Sequence, residues 1–140
     1  MYQSKLLDLI KTLSVNELKQ LKRYINSPFC NENAEVSRLF HFLRPHLNPF
    51  TKETDTLSRF KAFSYVYGKV AYSDAQMRRL MSGLMKVTEA YLLYDDFLNN
   101  PVHQKIRLSR LYITRNLPKH FDAVMRSAEK LQAQYAYRDT

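Results

Sequence analysis

Glycine is scarce in this sequence, since only Gly68 and Gly83 occur among 140 residues. Sheets with tight hairpins and loops that cradle phosphates usually use several glycines, so their scarcity favours an all-helical chain. Tryptophan is absent, and the single cysteine, Cys30, excludes an internal disulfide. Apolar runs are also short: even "AYLLY" ends at Asp95, far below the roughly 18 residues that a membrane-spanning helix needs.

The start of the chain and its overall composition indicate where the protein works. The segment "MYQSKLLDLIKTLS" lacks the uninterrupted apolar core of a signal peptide. Together with the single cysteine, this predicts a reducing, cytoplasmic location and no membrane partner. Hydrophobic residues make up 45% of the chain and charged residues 25%, which is typical of a folded globular protein. The length fits one helical domain over residues 1–140.

The first half of the chain contains signals for three helices. Apolar residues at three- and four-residue steps predict a first helix over 2–13. Ser14 precedes Glu17 by three residues, so a capping box should start a second helix near Val15. Pro28 disfavours helical geometry in the residue before it, and the second helix should therefore end near Asn26. The third helix is predicted to bury one face that consists of Val36, Leu39, Phe40, Leu43 and Leu47.

The stretch "INSPFCNEN", residues 25–33, is interpreted as a joint between the second and third helices. Asn31 or Asn33 can cap the third helix. Phe29 is expected to fill the gap where the two helices diverge, and Cys30 to be a small buried hydrophobe. A catalytic or redox role for Cys30 would need a neighbouring base or cation to lower its pKa, and no adjacent residue offers one.

The second half should begin with a loop, "RPHLNPFTKET", and continue into four helices. The fourth is predicted from about Lys52 to Tyr67, with Leu57, Phe60, Phe63 and Tyr67 turned inward. Ser73 and Gln76 suggest a capping box that opens a long helix over about 73–98. Its heptad seam contains Met77, Leu80, Leu84, Val87, Tyr91, Tyr94 and Leu98, beside a second stripe of Met81, Met85 and Leu92. A helix with two apolar stripes should be a central element of the fold.

Two further helices are predicted after the long one. Asn100 and Pro101 suit the start of a sixth helix, with Val102, Ile106 and Ile113 on one side. Pro118 should open a seventh. The sequence therefore predicts an all-α protein, with about seven helices in an irregular bundle or a helical-hairpin array around the long central helix.

Three segments together carry a resemblance to a known group of proteins. They are "LSVNELKQLKRYINSPFCNEN", "LFHFL" and "YSDAQMRRLMSGLMKVTEAYLL", and the spacing from "ELK" to "SPF" is the most specific part. Over about residues 5–98 the chain resembles the N-terminal region of an uncharacterised family of helical Bacteroidota proteins. Members more often have Phe at the position of Cys30, which favours packing over thiol chemistry. The resemblance implies that this chain is the N-terminal part of a longer helical protein, and it implies no activity.

Residue patterns that carry enzymatic chemistry are missing. None of the four histidines has a histidine partner four residues away that would place two imidazoles on one helical face; they are His41, His46, His103 and His120. Asp95 and Asp96 are adjacent, so they point about 100° apart on a helix and cannot act together on one substrate bond. The sequence also has no nucleophile elbow, glycine-rich phosphate loop or pair of cysteines. We therefore expect no enzyme, metal, cofactor or small-molecule substrate.

Positive charge is the clearest hint of a nucleic-acid partner. The net charge is +9 and the isoelectric point about 9.7. Residues 101–140 carry eight Lys or Arg against three Asp or Glu, and the candidate phosphate contacts are Lys105, Arg107, Arg110, Arg115 and Lys119. In a helix-turn-helix interpretation, Arg78 and Arg79 would have to reach base edges, but Asp74 lies at the end of the helix that should meet DNA. Solvated cationic faces are also common without such a function.

The seventh helix suggests a protein-interaction or scaffold module as the leading function. Its apolar stripe continues to the end of the helix, further than one neighbouring helix would cover. We expect this surface to bind a protein partner or a second copy in a symmetric homodimer. The predicted interface residues are Phe121, Val124, Met125, Leu131 and Tyr135.

Overall fold

Seven α-helices and one short 3-10 helix form the protein in a computed structural model, which describes residues 5–47 and 59–138. These ranges contain no β-strand, so the all-α prediction is confirmed. The 3-10 helix, Arg44–Leu47, follows α3 directly, where the sequence predicted the start of a loop. The α-helices are α1 (Lys5–Ile10), α2 (Val15–Ile25), α3 (Ala34–Leu43), α4 (Arg59–Tyr67), α5 (Asp74–Leu98), α6 (Pro101–Thr114) and α7 (Pro118–Arg138).

The chain divides into two compact units, Met1–Tyr91 and Leu92–Thr140, called here the N-terminal and C-terminal units. The boundary falls within α5. In the N-terminal unit, α1 to α5 each contribute apolar side chains to a core, as amphipathic helices do when they pack on one another. Its largest fully buried side chains include Phe40, Phe63, Leu7, Ile10, Leu18, Leu21, Leu39, Leu43, Met77 and Leu84.

The junction between α1 and α2 has the predicted capping box. The Glu17 backbone N–H donates to Ser14 Oγ at 3.1 Å, and the Ser14 N–H donates to Glu17 Oε1 at 3.0 Å. Helix α1 ends at Ile10, three residues before the predicted end. Local hydrogen bonds cause the early end, because Thr12 Oγ1 donates to the carbonyl of Leu9 at 2.6 Å.

The joint between α2 and α3 corrects two predictions, because Phe29 is 98% exposed and Cys30 is exposed as well. A polar side chain occupies the inside of the corner instead. Asn31 Nδ2 donates to the carbonyl of Ile25 at 3.0 Å and lies 3.2 Å from Ser37 Oγ. A turn that begins at Ser27 projects the ring of Phe29 into solvent. The predicted cap of α3 is Asn33, whose Oδ1 accepts from the Glu35 N–H at 3.0 Å.

Helix α4 is confirmed, but its buried face differs from the predicted one. The described part begins at Arg59, and the predicted start near Lys52 and the inward Leu57 lie outside the described residues. The buried side chains are Ala62, Phe63 and Val66, whereas Tyr67 is half-buried. Phe60 is 64% exposed, because it packs on Tyr72 beside the core, with the two ring centres 4.3 Å apart, rather than within it. Gly68, with φ +78°, ends the helix in a left-handed conformation that suits glycine.

Helix α5 has the predicted length, and half of its predicted capping box forms, with the Gln76 N–H donating to Ser73 Oγ at 3.3 Å. Within the seam, Met77, Leu80, Leu84 and Tyr91 are buried and Val87 is half-buried, but Tyr94 and Leu98 are exposed, which corrects the predicted continuous seam. Tyr91 is the last buried residue of the helix and also the last residue of the N-terminal unit. The buried residues of the helix are Met77, Leu80, Met81, Leu84, Thr88 and Tyr91.

The C-terminal unit contains the helical hairpin of α6 and α7. Asn100 caps α6 as predicted, accepting from the His103 N–H at 3.2 Å, and Pro101 is its first residue. Asn116, with φ +58°, ends α6 in the left-handed region, and the Leu117 N–H donates to the carbonyl of Tyr112 at 3.0 Å. Pro118 then opens α7, as predicted.

Candidate protein-binding surface of the C-terminal unit

The predicted interface residues of α7 lie on one face of that helix, centred on Ala128, which is 3% exposed. Their spacing of three and four residues places them there. Packing covers this face only in part: Tyr135 is exposed, and the half-buried members are Phe121, Val124, Met125 and Leu131. The structure thus brings the predicted residues together and leaves part of each in contact with solvent.

The C-terminal unit has a second set of apolar residues whose exposure was not predicted from the sequence. Leu93 is 73% exposed, and the other members are Phe97 and Leu98 at the end of α5 and Leu108, Leu111 and Ile113 on α6. Ile113 was predicted to lie on one side of α6 with Val102 and Ile106, which are half-buried; its exposure is explained by its position in the last turn, beside an open cleft. The sequence feature that could have indicated this surface is the three-residue spacing from Leu108 to Leu111, which places both side chains on one face of α6.

The end of α5 is fixed to α6 by side-chain hydrogen bonds. Gln104 Nε2 donates to the carbonyls of Phe97 at 2.8 Å and Leu98 at 2.9 Å in the last turn of α5, and the Phe97 carbonyl also accepts from the Asn100 N–H at 3.2 Å. Asn99 Nδ2 donates to the carbonyl of Asp95 at 2.9 Å. These bonds order the backbone that carries Phe97 and Leu98, so the exposed apolar side chains project from a structured turn.

The five candidate phosphate contacts form two groups rather than one patch. Arg107 and Arg110 are exposed on α6, while Lys105 lies on the same side as the buried Ser109, four residues away. Arg115 and Lys119 flank the turn between α6 and α7 and are exposed. Within residues 5–47 and 59–138, none of the five takes part in an ion pair.

An open cleft lies at the same turn. Its volume is about 470 Å³. Four of its five lining residues are apolar, and the fifth is the amide side chain that ends α6; they are Ile113, Asn116, Leu117, Pro118 and Phe121. The cleft thus combines an apolar lining with cationic neighbours.

The start of α5, which a helix-turn-helix protein would present to DNA, is occupied by an internal polar cluster. Asp74 lies 3.2 Å from Arg78 Nε and 3.4 Å from Arg59 Nη1, and it accepts from the hydroxyl of Tyr72 at 3.1 Å. Burial, followed by the bond to Asp74, raises the pKa of Tyr72. The carboxylate therefore partly neutralises one of the two arginines that would have to read bases.

Tyr67 is the other phenol with a perturbed pKa. Its hydroxyl donates to Glu35 Oε2 at 3.0 Å, which joins α4 to α3. Burial raises the pKa of Tyr67, and the bond to Glu35 raises it further because the carboxylate favours the neutral phenol. This residue holds a proton at neutral pH and stabilises the contact between two helices.

Metal ligation and membrane insertion have no structural support in the described chain. Residues 5–47 and 59–138 contain no group of three or more His, Cys, Asp or Glu side chains placed to hold a metal ion. None of the helices within the same ranges combines the length and the apolar character needed to cross a bilayer.

Comparison with models of protein families, with curated proteins and with solved structures finds no match to this chain. The resemblance to helical Bacteroidota proteins therefore stays a sequence-based expectation.

Proposed function

We propose that this protein is a non-enzymatic helical module that binds a protein partner, or a second copy of itself, through the exposed apolar residues of the C-terminal unit. One observation carries the proposal. Among the described side chains from Leu92 onward, only Ser109 and Ala128 are buried, although the helices carry many large apolar residues. Eight large apolar side chains of this unit are exposed among the described residues, and apolar surface that faces solvent in this way commonly marks sites of association.

The apolar residues also have the spacing that helix-mediated recognition uses. The face of α7 repeats at three and four residues, and Leu108 and Leu111 on α6 add a second stripe. A partner helix or groove can bury such stripes over several turns. This geometry supports an interaction or scaffold function better than catalysis, for which the sequence supplies no set of cooperating groups.

Sedimentation velocity over a range of concentrations tests self-association. We expect a dimer that dissociates when Leu93 and Leu111 are both changed to Glu, because a buried charge without a partner is costly. Val15→Glu is the matched control, since Val15 is similarly exposed but belongs to the N-terminal unit. A mass that stays monomeric at high concentration, and is the same in all variants, would remove the homodimer from the proposal.

A different protein partner is tested by the same variants. The immobilised wild-type chain should retain specific proteins from a cell extract, and the double Leu93→Glu, Leu111→Glu variant should lose them while Val15→Glu keeps them. If neither self-association nor retained proteins depend on these leucines, the proposed function is wrong.

Nucleic-acid binding is the second candidate, and the exposure of Arg107 and Arg110 on α6 without an ion pair in the described chain favours it. Such binding should weaken steeply as salt rises, because phosphate contacts release counterions. Duplex and single-stranded DNA should both be tried as probes. The double Arg107→Gln, Arg110→Gln variant should reduce the salt slope by roughly 2, about one for each lost phosphate contact, whereas Lys19→Gln with Lys22→Gln on α2 should leave it unchanged.

A further inference from the structure

We infer that the cleft at the turn between α6 and α7 docks an acidic segment of a partner protein, which inserts one large apolar side chain between Ile113 and Phe121 and pairs its carboxylates with Arg115 and Lys119. The inference rests on the proposed protein-binding function and names the chemistry of the partner for one part of the surface.

The cleft has room for a large side chain. A volume of about 470 Å³ lies within the roughly 300–1,000 Å³ of sites that enclose small ligands. The lining is apolar apart from Asn116, so an inserted aliphatic or aromatic group would lose water without leaving many polar groups unsatisfied. Aromatic and aliphatic anchors in such pockets supply much of the affinity of protein interfaces.

Backbone hydrogen bonds order the turn that lines the cleft. The N–H groups of Asn116 and Leu117 donate to the carbonyls of Ile113 and Tyr112, at 3.1 and 3.0 Å. The Phe121 N–H then donates to the carbonyl of Leu117 at 3.0 Å, in the first turn of α7. Because these bonds order the turn before any partner binds, docking would cost little conformational entropy.

The positive charge beside the cleft favours an acidic occupant. Between Asp96 and Asp122 the sequence contains no Asp or Glu, and it contains the five cations Lys105, Arg107, Arg110, Arg115 and Lys119. Two of these, Arg115 and Lys119, are neighbours in sequence of the lining residues and are exposed. A basic or neutral segment would gain nothing from them, and a basic one would be repelled.

Two other occupants fit the surface less well. A second copy of this chain carries a net charge of +9 and has the same acid-free stretch at its own cleft, so like charges would meet across a two-fold axis. A nucleic acid would use the cations through its phosphates but would leave the apolar lining without a matching group. An acidic peptide segment with an apolar anchor uses both features.

Selection from a library of short random peptides displayed on phage tests the inference with the whole chain as bait. We expect enrichment of sequences in which Asp and Glu surround one large apolar residue. The affinity of a selected peptide should fall by about tenfold or more in Ile113→Ser, and likewise in Arg115→Glu with Lys119→Glu. The control Arg126→Glu with Lys130→Glu makes the same change of charge at exposed positions further along α7 and should retain the wild-type affinity. Circular dichroism confirms that each variant is folded.

Each other outcome overturns the inference in a distinguishable way. If acidic peptides bind equally well to the cleft variants, the segment docks elsewhere, and protein binding stands while the cleft assignment falls. If selection enriches no peptide, or only basic or neutral ones, the acidic occupant is wrong. If single-stranded DNA binds more tightly than any selected peptide and is lost in the Arg115→Glu, Lys119→Glu variant, a nucleic acid is the occupant and the proposed function fails with the inference.

Discussion

The two units of this protein use equally regular helices but differ in what those helices bury. In the N-terminal unit, side chains such as Phe40 and Phe63 are almost fully enclosed, and every helix contributes to the core. In the described part of the C-terminal unit, the only buried residues are Ser109 and Ala128. The comparison shows that capping residues and periodicity determine where helices form, whereas burial depends on how many apolar faces meet.

The number of helices explains the difference. All five helices of the N-terminal unit bury apolar side chains, so several apolar faces contribute to its core. The C-terminal unit has α6, α7 and the end of α5, and two helices of a hairpin share only one face. The faces that remain are therefore available to a partner, and local opening of the hairpin should require less free energy than unfolding of the core.

The largest expected effect comes from removing a core ring of the N-terminal unit. Phe40→Ala should reduce the free energy of unfolding by about 3–5 kcal/mol, because Phe40 is 1% exposed and its loss leaves a cavity. Phe121→Ala, the same change on a half-buried ring of α7, should cost less than half as much. Chemical denaturation measures both values. Equal losses would show that the C-terminal unit has a core as well packed as that of the N-terminal unit.

Gly83→Ala tests how closely α5 approaches α3 inside the well-packed unit. An added Cβ would lie 3.1 Å from Val36 Cγ2, and Val36 is fully buried and branched, so it has little room to move. The crowding should exceed the gain of up to about 1 kcal/mol that alanine brings to a helix. We expect a net loss of about 1 kcal/mol in thermal or chemical unfolding.

The control for this prediction removes the obstructing methyl groups. In the Val36→Ala background, Gly83→Ala should become neutral or stabilising, and a double-mutant cycle isolates the coupling. A gain in stability from Gly83→Ala alone would mean that α3 and α5 adjust easily, which would weaken the description of the N-terminal unit as closely packed.

Structural features that depend on residues close together in the sequence could be predicted, whereas features that depend on more distant residues could not. The two predicted helix caps each depend on residues within four positions of one another, and both are confirmed. They are Ser14 with Glu17 and Asn100 with Pro101. Phe29 was predicted to be buried because it is apolar and adjoins a helix end. Asn31 occupies the inside of the corner instead, where its side chain donates to the carbonyl of Ile25, six residues away, and no local pattern indicates this bond.

The candidate surface was predictable to the same extent, because its local periodicity could be recognised and its burial could not. The stripe on α7 could be recognised from its period, and its five residues do share a face. The exposure of Leu93 and Leu111 could not, because apolar residues on a helix usually indicate contact with a core, and only the fold shows that no described helix covers them. Arg115 and Lys119 were predicted as candidate phosphate contacts. The sequence did not indicate the apolar cleft beside them, whose lining includes Asn116 in its left-handed conformation.

Tyr67→Phe is expected to have a pH-dependent effect on the stability of the N-terminal unit that is no larger than the effect of Gly83→Ala. Loss of the bond to Glu35 should cost about 1 kcal/mol at neutral pH. Because folding raises the pKa of Tyr67 above its ordinary value of 10.0, the stabilisation is fully present below that pH and is lost as pH rises through the folded-state pKa. The difference in unfolding free energy between wild type and variant should therefore be constant from neutral pH to about 10 and shrink above it. A difference that grows at alkaline pH would contradict the raised pKa.

The smallest expected effect is that of Phe29→Ala, which separates exposure from position within a well-packed unit. Phe29 belongs to the N-terminal unit, yet its ring is 98% exposed, so its removal should change the free energy of unfolding by less than about 0.5 kcal/mol. Cys30 beside it provides an independent measurement, because an exposed thiol in the native protein should react with a labelling reagent nearly as fast as in the unfolded chain. If Phe29→Ala lowers the free energy of unfolding by several kcal/mol, or if the thiol is protected from labelling, the joint between α2 and α3 belongs to the closely packed core. A negligible change with rapid labelling would leave the corner as an exposed aromatic group on a turn ordered by Asn31, and would show that the packed unit also presents an apolar side chain to solvent.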